Sequence, residues 1–168
     1  KAQSAKDIGS LAQTAGFYIG ELGAPKPGEP FYTELLGGLG STAKQFEGQS
    51  TNKRVFVLTL LAEAYPDTEA GRNAQQEAVA KGLEVAGKTG EKGSPPKVME
   101  PSGLAGLSVV SIENSTSHHI LIFYDGPERF FLRLNPYRRG SAVLKDGTYA
   151  AGVLATADEI IPYRAEAV

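Results

Sequence analysis

The chain has no cysteine, two histidines, near-balanced charge and no apolar run long enough to span a bilayer. Without cysteine, disulfides, thiolate nucleophiles, cysteine-ligated zinc and a lipidated N-terminal cysteine are excluded within this stretch. The histidines, His118 and His119, are adjacent. In a strand, neighbouring side chains point to opposite faces, so the pair is poorly placed to share one metal ion. No metal and no cofactor are expected. A membrane-spanning helix needs roughly 18 to 20 consecutive apolar residues, and an anchor, if there is one, lies outside these residues. With 17 basic against 19 acidic residues and a net charge of −2, the chain lacks the basic footprint of a general nucleic-acid binder.

Catalytic signatures are equally sparse. There is no Gly-x-Ser-x-Gly elbow to orient a nucleophile, so a Ser-His-Asp hydrolase, although compositionally possible, ranks below a non-catalytic role. Gly38-Leu39-Gly40-Ser41-Thr42-Ala43 matches Gly-x-Gly-x-x-Ala, but it falls inside an expected helix rather than after a strand, where a dinucleotide would need it. Asp158-Glu159 reads as two solvated carboxylates rather than a cation site. The absence of cysteine leans toward a periplasmic, cell-surface or secreted setting. The chain opens at Lys1 rather than Met, which is expected of a trimmed or processed product.

What is present changes character near residue 100. The first part is helical in period. Ile8, Leu11, Ala12, Ala15, Ile19 and Leu22 predict a helix over about 4–22, ended by Gly23 and the proline-rich stretch 24–30. Tyr32, Leu35, Leu36, Leu39, Ala43 and Phe46 form a second stripe, which Gly37, Gly38 and Gly40 are expected to interrupt or loosen. The run Val55 to Leu61 is apolar on every side, and its continuation from Asn52 to Tyr65 selects a buried helix stopped by Pro66. Thr68 then caps a helix carrying the small residues Ala70, Ala74, Ala78 and Gly82, which allow close packing.

A linker follows at 88–106, dense in glycine, proline and charge at its start. The basic residues shift across it: nine lysines and two arginines come before residue 101, one lysine and five arginines after. Beyond it the apolar runs are short and closed by turns, predicting strands at 107–112, 119–124, 129–134, 141–144, 148–154 and 160–164. Asp146-Gly147 predicts a two-residue hairpin between the fourth and fifth of these. Pro162 predicts an edge position for the last. Phe130, Leu132 and Leu134 alternate with Arg129, Phe131 and Arg133, placing the first set on a core face and the arginines on a solvent face. The fold class is therefore α+β: a helical domain of about four helices at 1–87, the linker 88–106, and a small antiparallel β-sandwich at 107–168.

Two resemblances add to this reading. Leu61 to Ala74, with its Tyr65-Pro66-Asp67-Thr68 turn, resembles the helix-turn-helix joint of tetratricopeptide-like repeats in bacterial envelope proteins; an ordinary helix cluster with a Pro-Asp turn reads the same way. The strand half, with Glu113-Asn114-Ser115-Thr116, Asp125-Gly126-Pro127, Leu134-Asn135-Pro136 and Asp146-Gly147-Thr148-Tyr149, looks like immunoglobulin-like or transthyretin-like modules of bacterial surface proteins. That resemblance implies a display or adhesion scaffold and brings no catalytic residue.

Arg129, Phe131, Arg133, Tyr137, Arg138 and Arg139 form the candidate binding set. Guanidinium forks take carboxylates, phosphates or sulfated glycans, and exposed aromatics add contact area at partner surfaces; the alternative for the same residues is a solubilising face and loop. The expected function is a structural or protein-interaction subunit of an envelope or extracellular assembly, with a protein partner or a second copy of the chain. The alternative is an acidic-glycan or polyanion-binding module. Asn114-Ser115-Thr116 is also an N-glycosylation sequon, meaningful only in a glycosylating secretory pathway.

Overall fold

The computed structural model describes residues 23–89, 91–93, 105–156 and 161–165. These form α1 (Tyr32–Gln45), α2 (Thr51–Ala64), α3 (Glu69–Thr89), β1 (Glu91–Gly93), β2 (Leu107–Glu113), β3 (His119–Asp125), β4 (Arg129–Leu134), β5 (Arg139–Lys145), β6 (Ala150–Thr156) and β7 (Ile161–Ala165). The protein is α+β, with three helices among the described residues followed by strands in two sheets. The helix expected over 4–22 lies outside the described residues. Two compact units part between Ala78 and Val79. Of the expected linker, residues 88 and 89 end α3, 91–93 are β1, and 94–104 lie outside the described residues.

In the first unit, local signals set the helix ends. Ser50 caps α2 by accepting from the Lys53 amide, and Thr68 Oγ1 accepts from the Gly71 amide at 3.0 Å to open α3. Pro66 follows the C-terminus of α2. α2 buries Val55 and an unbroken run from Val57 to Ala62, as its all-round apolarity predicts. α1 is continuous through Gly37, Gly38 and Gly40, none of which has a described atom near the position of a Cβ. The expected interruption is therefore absent, and Leu39, Ala43 and Phe46 hold the helix by burial instead.

The second unit holds a five-stranded sheet in the order β1-β7-β6-β3-β4 and a two-stranded sheet, β2-β5. All pairs are antiparallel except β1 with β7. One face of the larger sheet meets the smaller one in a shared core: Ile120, Ile122 and Tyr124 of β3 and Leu134 of β4 pack with Ala142 and Leu144 of β5. Phe130 and Leu132 join that cluster, as their alternation predicts.

Three expectations fail here. The Asp146-Gly147 turn does not join a hairpin: β5 pairs with β2, and β6 with β3 and β7. A type I′ turn needs positive φ at both central residues, whereas only Gly147 has it, at 155°. The turn is instead a corner between sheets, tied by the Lys145 amide donating to Glu128 Oε1 at 2.8 Å and the Tyr149 hydroxyl donating to the Lys145 carbonyl at 3.1 Å. Second, β7 is not an edge strand, because β1 and β6 flank it; β1 and β4 are the edges. Third, the Phe131 face of β4 is not a solvent face. Phe123, fully buried, and Phe131 pack there with centroids 6.4 Å apart, and the end of α3 covers the same face. A methyl on Gly82 would fall 2.6 Å from the Phe123 ring, so the helix lies close only because that side chain is absent.

Candidate functional site

Among the described residues of the strand unit, Asn114 is the most deeply placed polar one, 1% exposed, just after β2. Its Nδ2 donates to the carbonyls of His118 at 2.7 Å and Asn135 at 2.9 Å, with Leu134 O at 3.5 Å. Its Oδ1 accepts from the Thr116 amide at 3.1 Å and hydroxyl at 2.7 Å. The Asn114 amide donates to the Arg138 carbonyl at 2.8 Å, and the Tyr137 amide to the Thr116 carbonyl at 3.3 Å. His119 Nδ1 lies 3.1 Å from Asn135 Oδ1. One buried side chain thus staples the 114–118 loop to the 135–138 loop. The sequon is structural: a side-chain nitrogen buried and committed to carbonyls is not open to a glycan in the folded protein.

The stapled loop holds Tyr137 at φ 56°, with the residue 71% exposed. Left-handed backbone costs a non-glycine residue about 1–2 kcal/mol, and burial of the ring does not offset it. Such strain persists where the surroundings over-determine it, as at contact sites. Arg138 is exposed beside it, and its guanidinium makes no ion pair or hydrogen bond among the described residues. Arg139 is exposed and reaches Glu113 at 2.8 Å across the β2-β5 ladder. A pair this exposed contributes at most about 1 kcal/mol, so it yields readily to a competing anion.

The six candidate residues therefore divide. Tyr137, Arg138 and Arg139 lie together on the loop and the start of β5. Arg129, Phe131 and Arg133 belong to the helix-covered face of β4: Phe131 is buried, Arg129 Nε donates to Asp125 Oδ1 at 2.9 Å, and Arg133 is half-buried and engaged. Their alternation was legible, but not the helix that covers their face.

Sequence reasoning passed over Phe31. It precedes α1 at φ 66° and is 73% exposed. Phe31 and Tyr137 are the only non-glycine residues with positive φ among those described, and both are exposed aromatics. The available signal was an aromatic directly after Gly28-Glu29-Pro30, ahead of a helix. Among the described residues no three His, Asp or Glu side chains are grouped to hold a metal. No described helix is long and apolar enough to cross a membrane.

No protein family, curated protein or solved structure matches the chain.

Proposed function

We propose that the chain is a non-catalytic structural or protein-interaction subunit of a cell-envelope or extracellular assembly, contacting its partner through Tyr137, Arg138 and Arg139. The observation that carries this reading is Tyr137, a ring held out on left-handed backbone by a buried amide staple and flanked by a guanidinium with no described partner. Tyrosine and arginine dominate interface energetics because they combine apolar area with directional hydrogen bonding. The two sheets serve as a small sandwich that mounts the loop, and the helical unit offers Phe31 as a further contact. The envelope setting rests on the cysteine-free composition and on the resemblances of the helix joint and the strand half.

A photo-cross-linking residue at position 137 in the full chain, expressed in its source, tests this. It should capture one discrete protein, and the same group at exposed Thr148 should not. Equal, diffuse labelling from both positions sinks the reading.

The second reading, an acidic-glycan or polyanion module, is favoured by Arg138, which has no ion-pair partner among the described residues. It now rests on Arg138 and Arg139 rather than on four arginines. Binding to heparin that falls steeply with salt and is lost in Arg138→Glu supports it; binding that survives Arg138→Glu with Arg139→Glu rejects it.

A further inference from the structure

Three sequences of the strand unit are prone to cyclise through an acidic or amide side chain: Asn114-Ser115, Asp125-Gly126 and Asp146-Gly147. In each, the amide nitrogen of the second residue can attack the side-chain carbonyl carbon of the first and close a five-membered succinimide. The reaction needs a side chain free to turn and an amide that is not already donating. The fold treats the three differently.

Asn114 is held by burial. It is 1% exposed, its Nδ2 is committed to the carbonyls of His118 and Asn135, and its Oδ1 to Thr116. Asp125 is held by partners. It ends β3 with a strand on each side, its Oδ1 accepts from Arg129 Nε at 2.9 Å, and the Gly126 amide donates to the Glu128 carbonyl at 3.3 Å. Cyclisation there must break the ion pair and the amide hydrogen bond together. Asp146 has neither restraint. Asp146, Gly147 and Thr148 are exposed, and the Gly147 amide donates to nothing among the described residues. One hydrogen bond, from Ser108 Oγ at 2.7 Å, holds the carboxylate among the described residues. Glycine, lacking a side chain, does not screen the attacking nitrogen.

We propose that Asp146 is a site of spontaneous isoaspartate formation, and that this modification releases the corner between β5 and β6. The Gly147 nitrogen bonds to Cγ of Asp146, and its proton leaves with the carboxyl hydroxyl as water. Water then adds back at one of the two succinimide carbonyls. Addition at Cγ restores aspartate. Addition at the main-chain carbonyl carbon breaks its bond to the Gly147 nitrogen and leaves the chain running through Cβ and Cγ. The water lost is the water regained, so nothing is oxidised or reduced. The isoaspartate backbone is one carbon longer, and its carboxylate sits on Cα.

That extra carbon falls where the chain is tied on both sides. The Asp146 amide donates to the Gly106 carbonyl at 3.0 Å, the Lys145 amide to Glu128, and the Tyr149 hydroxyl to the Lys145 carbonyl. Gly147, at φ 155°, sits so near Pro127 that a methyl on it would fall 2.4 Å from the ring. Lengthening the chain between Lys145 and Gly147 pulls these ties out of register, and Tyr149, 6% exposed, is the buried ring they anchor. A corner that loses such ties opens locally ahead of the sheets. The site is independent of the Tyr137 loop, which lies at the other end of β5.

The full chain, kept for weeks at neutral pH and body temperature, tests this. L-isoaspartate methyltransferase with S-adenosylmethionine labels each isoaspartate formed, and fragmentation mass spectrometry locates it. In the folded protein, label should accumulate at Asp146 many-fold faster than at Asp125 or Asn114. In guanidinium chloride, Asp125 and Asp146, each followed by glycine, should label alike. Asp146→Glu, whose ring would need six members, should lose the label at the corner with unchanged circular dichroism. Aged wild type should show several-fold faster amide exchange at Lys145 and Tyr149 than fresh protein, and aged Asp146→Glu should not. Equal labelling of Asp125 and Asp146 in the folded protein, or no label at Asp146 while the denatured chain acquires it, overturns the site. Unchanged exchange at Lys145 and Tyr149 in aged, labelled protein overturns the release of the corner.

Discussion

The helical and strand units each bury a polar hub, and the two are built on different chemistry. In the helical unit the hub is charged: Arg54, its side chain 14% exposed, donates through Nε to Glu77 Oε1 at 2.7 Å, with Nη2 at 2.6 Å from the same oxygen. Its Nη1 lies 3.3 Å from Glu47 but lacks hydrogen-bond geometry. Both carboxylates keep contact with water, at 36% and 65% exposure. In the strand unit the hub is the neutral amide of Asn114, whose partners are mostly backbone. The difference concerns what remains when the hub is removed. Glutamates freed from Arg54 can rehydrate in place, whereas the carbonyls around Asn114 cannot without opening two loops.

Asn114→Ala should therefore have the largest effect, a loss of about 3 kcal/mol from unpaired buried groups. Amide exchange should rise at Thr116 and Tyr137 before the rest of the sheets, and partner capture at position 137 should fall with it. Asn114→Asp keeps the volume but aims a carboxylate at three carbonyls, and should be no better. Retention of native stability by either variant would break the contrast.

This hub also shows where sequence reading stopped. Asn114 sits in a sequon and a polar turn, and nothing local says that its amide faces Leu134, Asn135 and His118; those partners meet only after β2, β3 and β4 are placed. Helix α2 was legible because its length and Pro66 are local facts, and β2, β3 and β4 because their turns are. Pairing was not. Asp146-Gly147 signals a reversal, but whether β5 turns back onto β6 or across to β2 depends on Glu128 and Tyr149, which tie the corner from outside the turn. In the same way, Tyr137 and Arg138 could be nominated by residue type, whereas Phe131 and Arg133 needed knowledge of the helix over their face.

Arg54→Met should cost less than Asn114→Ala, about 1–2 kcal/mol, because the methionine stem refills the apolar part of the site. The loss should shrink at high salt, where the wild-type pairs are screened. A urea titration at two salt concentrations reads both effects. A penalty equal to that of Asn114→Ala would mean that charged and neutral hubs are equivalent here.

Gly82→Ala comes next. Its methyl must displace the Phe123 ring, a strain of about 1–3 kcal/mol, while the helix gains up to about 1 kcal/mol in propensity. The net expectation is a loss of about 1 kcal/mol, read by urea denaturation, with a changed Phe123 environment in side-chain NMR. An unchanged Phe123 signal would show that α3 does not lie on that face.

The smallest expected effect at neutral pH is that of Tyr124→Phe. The Tyr124 hydroxyl is buried without a hydrogen-bond partner among the described residues, and its removal should leave stability within about 1 kcal/mol of wild type, on the favourable side. The contrast with Asn114 is sharpest here, because an unsatisfied polar atom is removed rather than created. The effect grows with pH. Burial pushes the Tyr124 pKa up to about 12, against about 10 in an unfolded chain. The folded state then holds a proton that the unfolded state releases, so this contribution is complete below about pH 10 and is lost as pH rises toward 12. Wild type should lose stability across that window faster than Tyr124→Phe. The difference between the two denaturation curves reads the removal of this hydroxyl; parallel curves would mean that water reaches it.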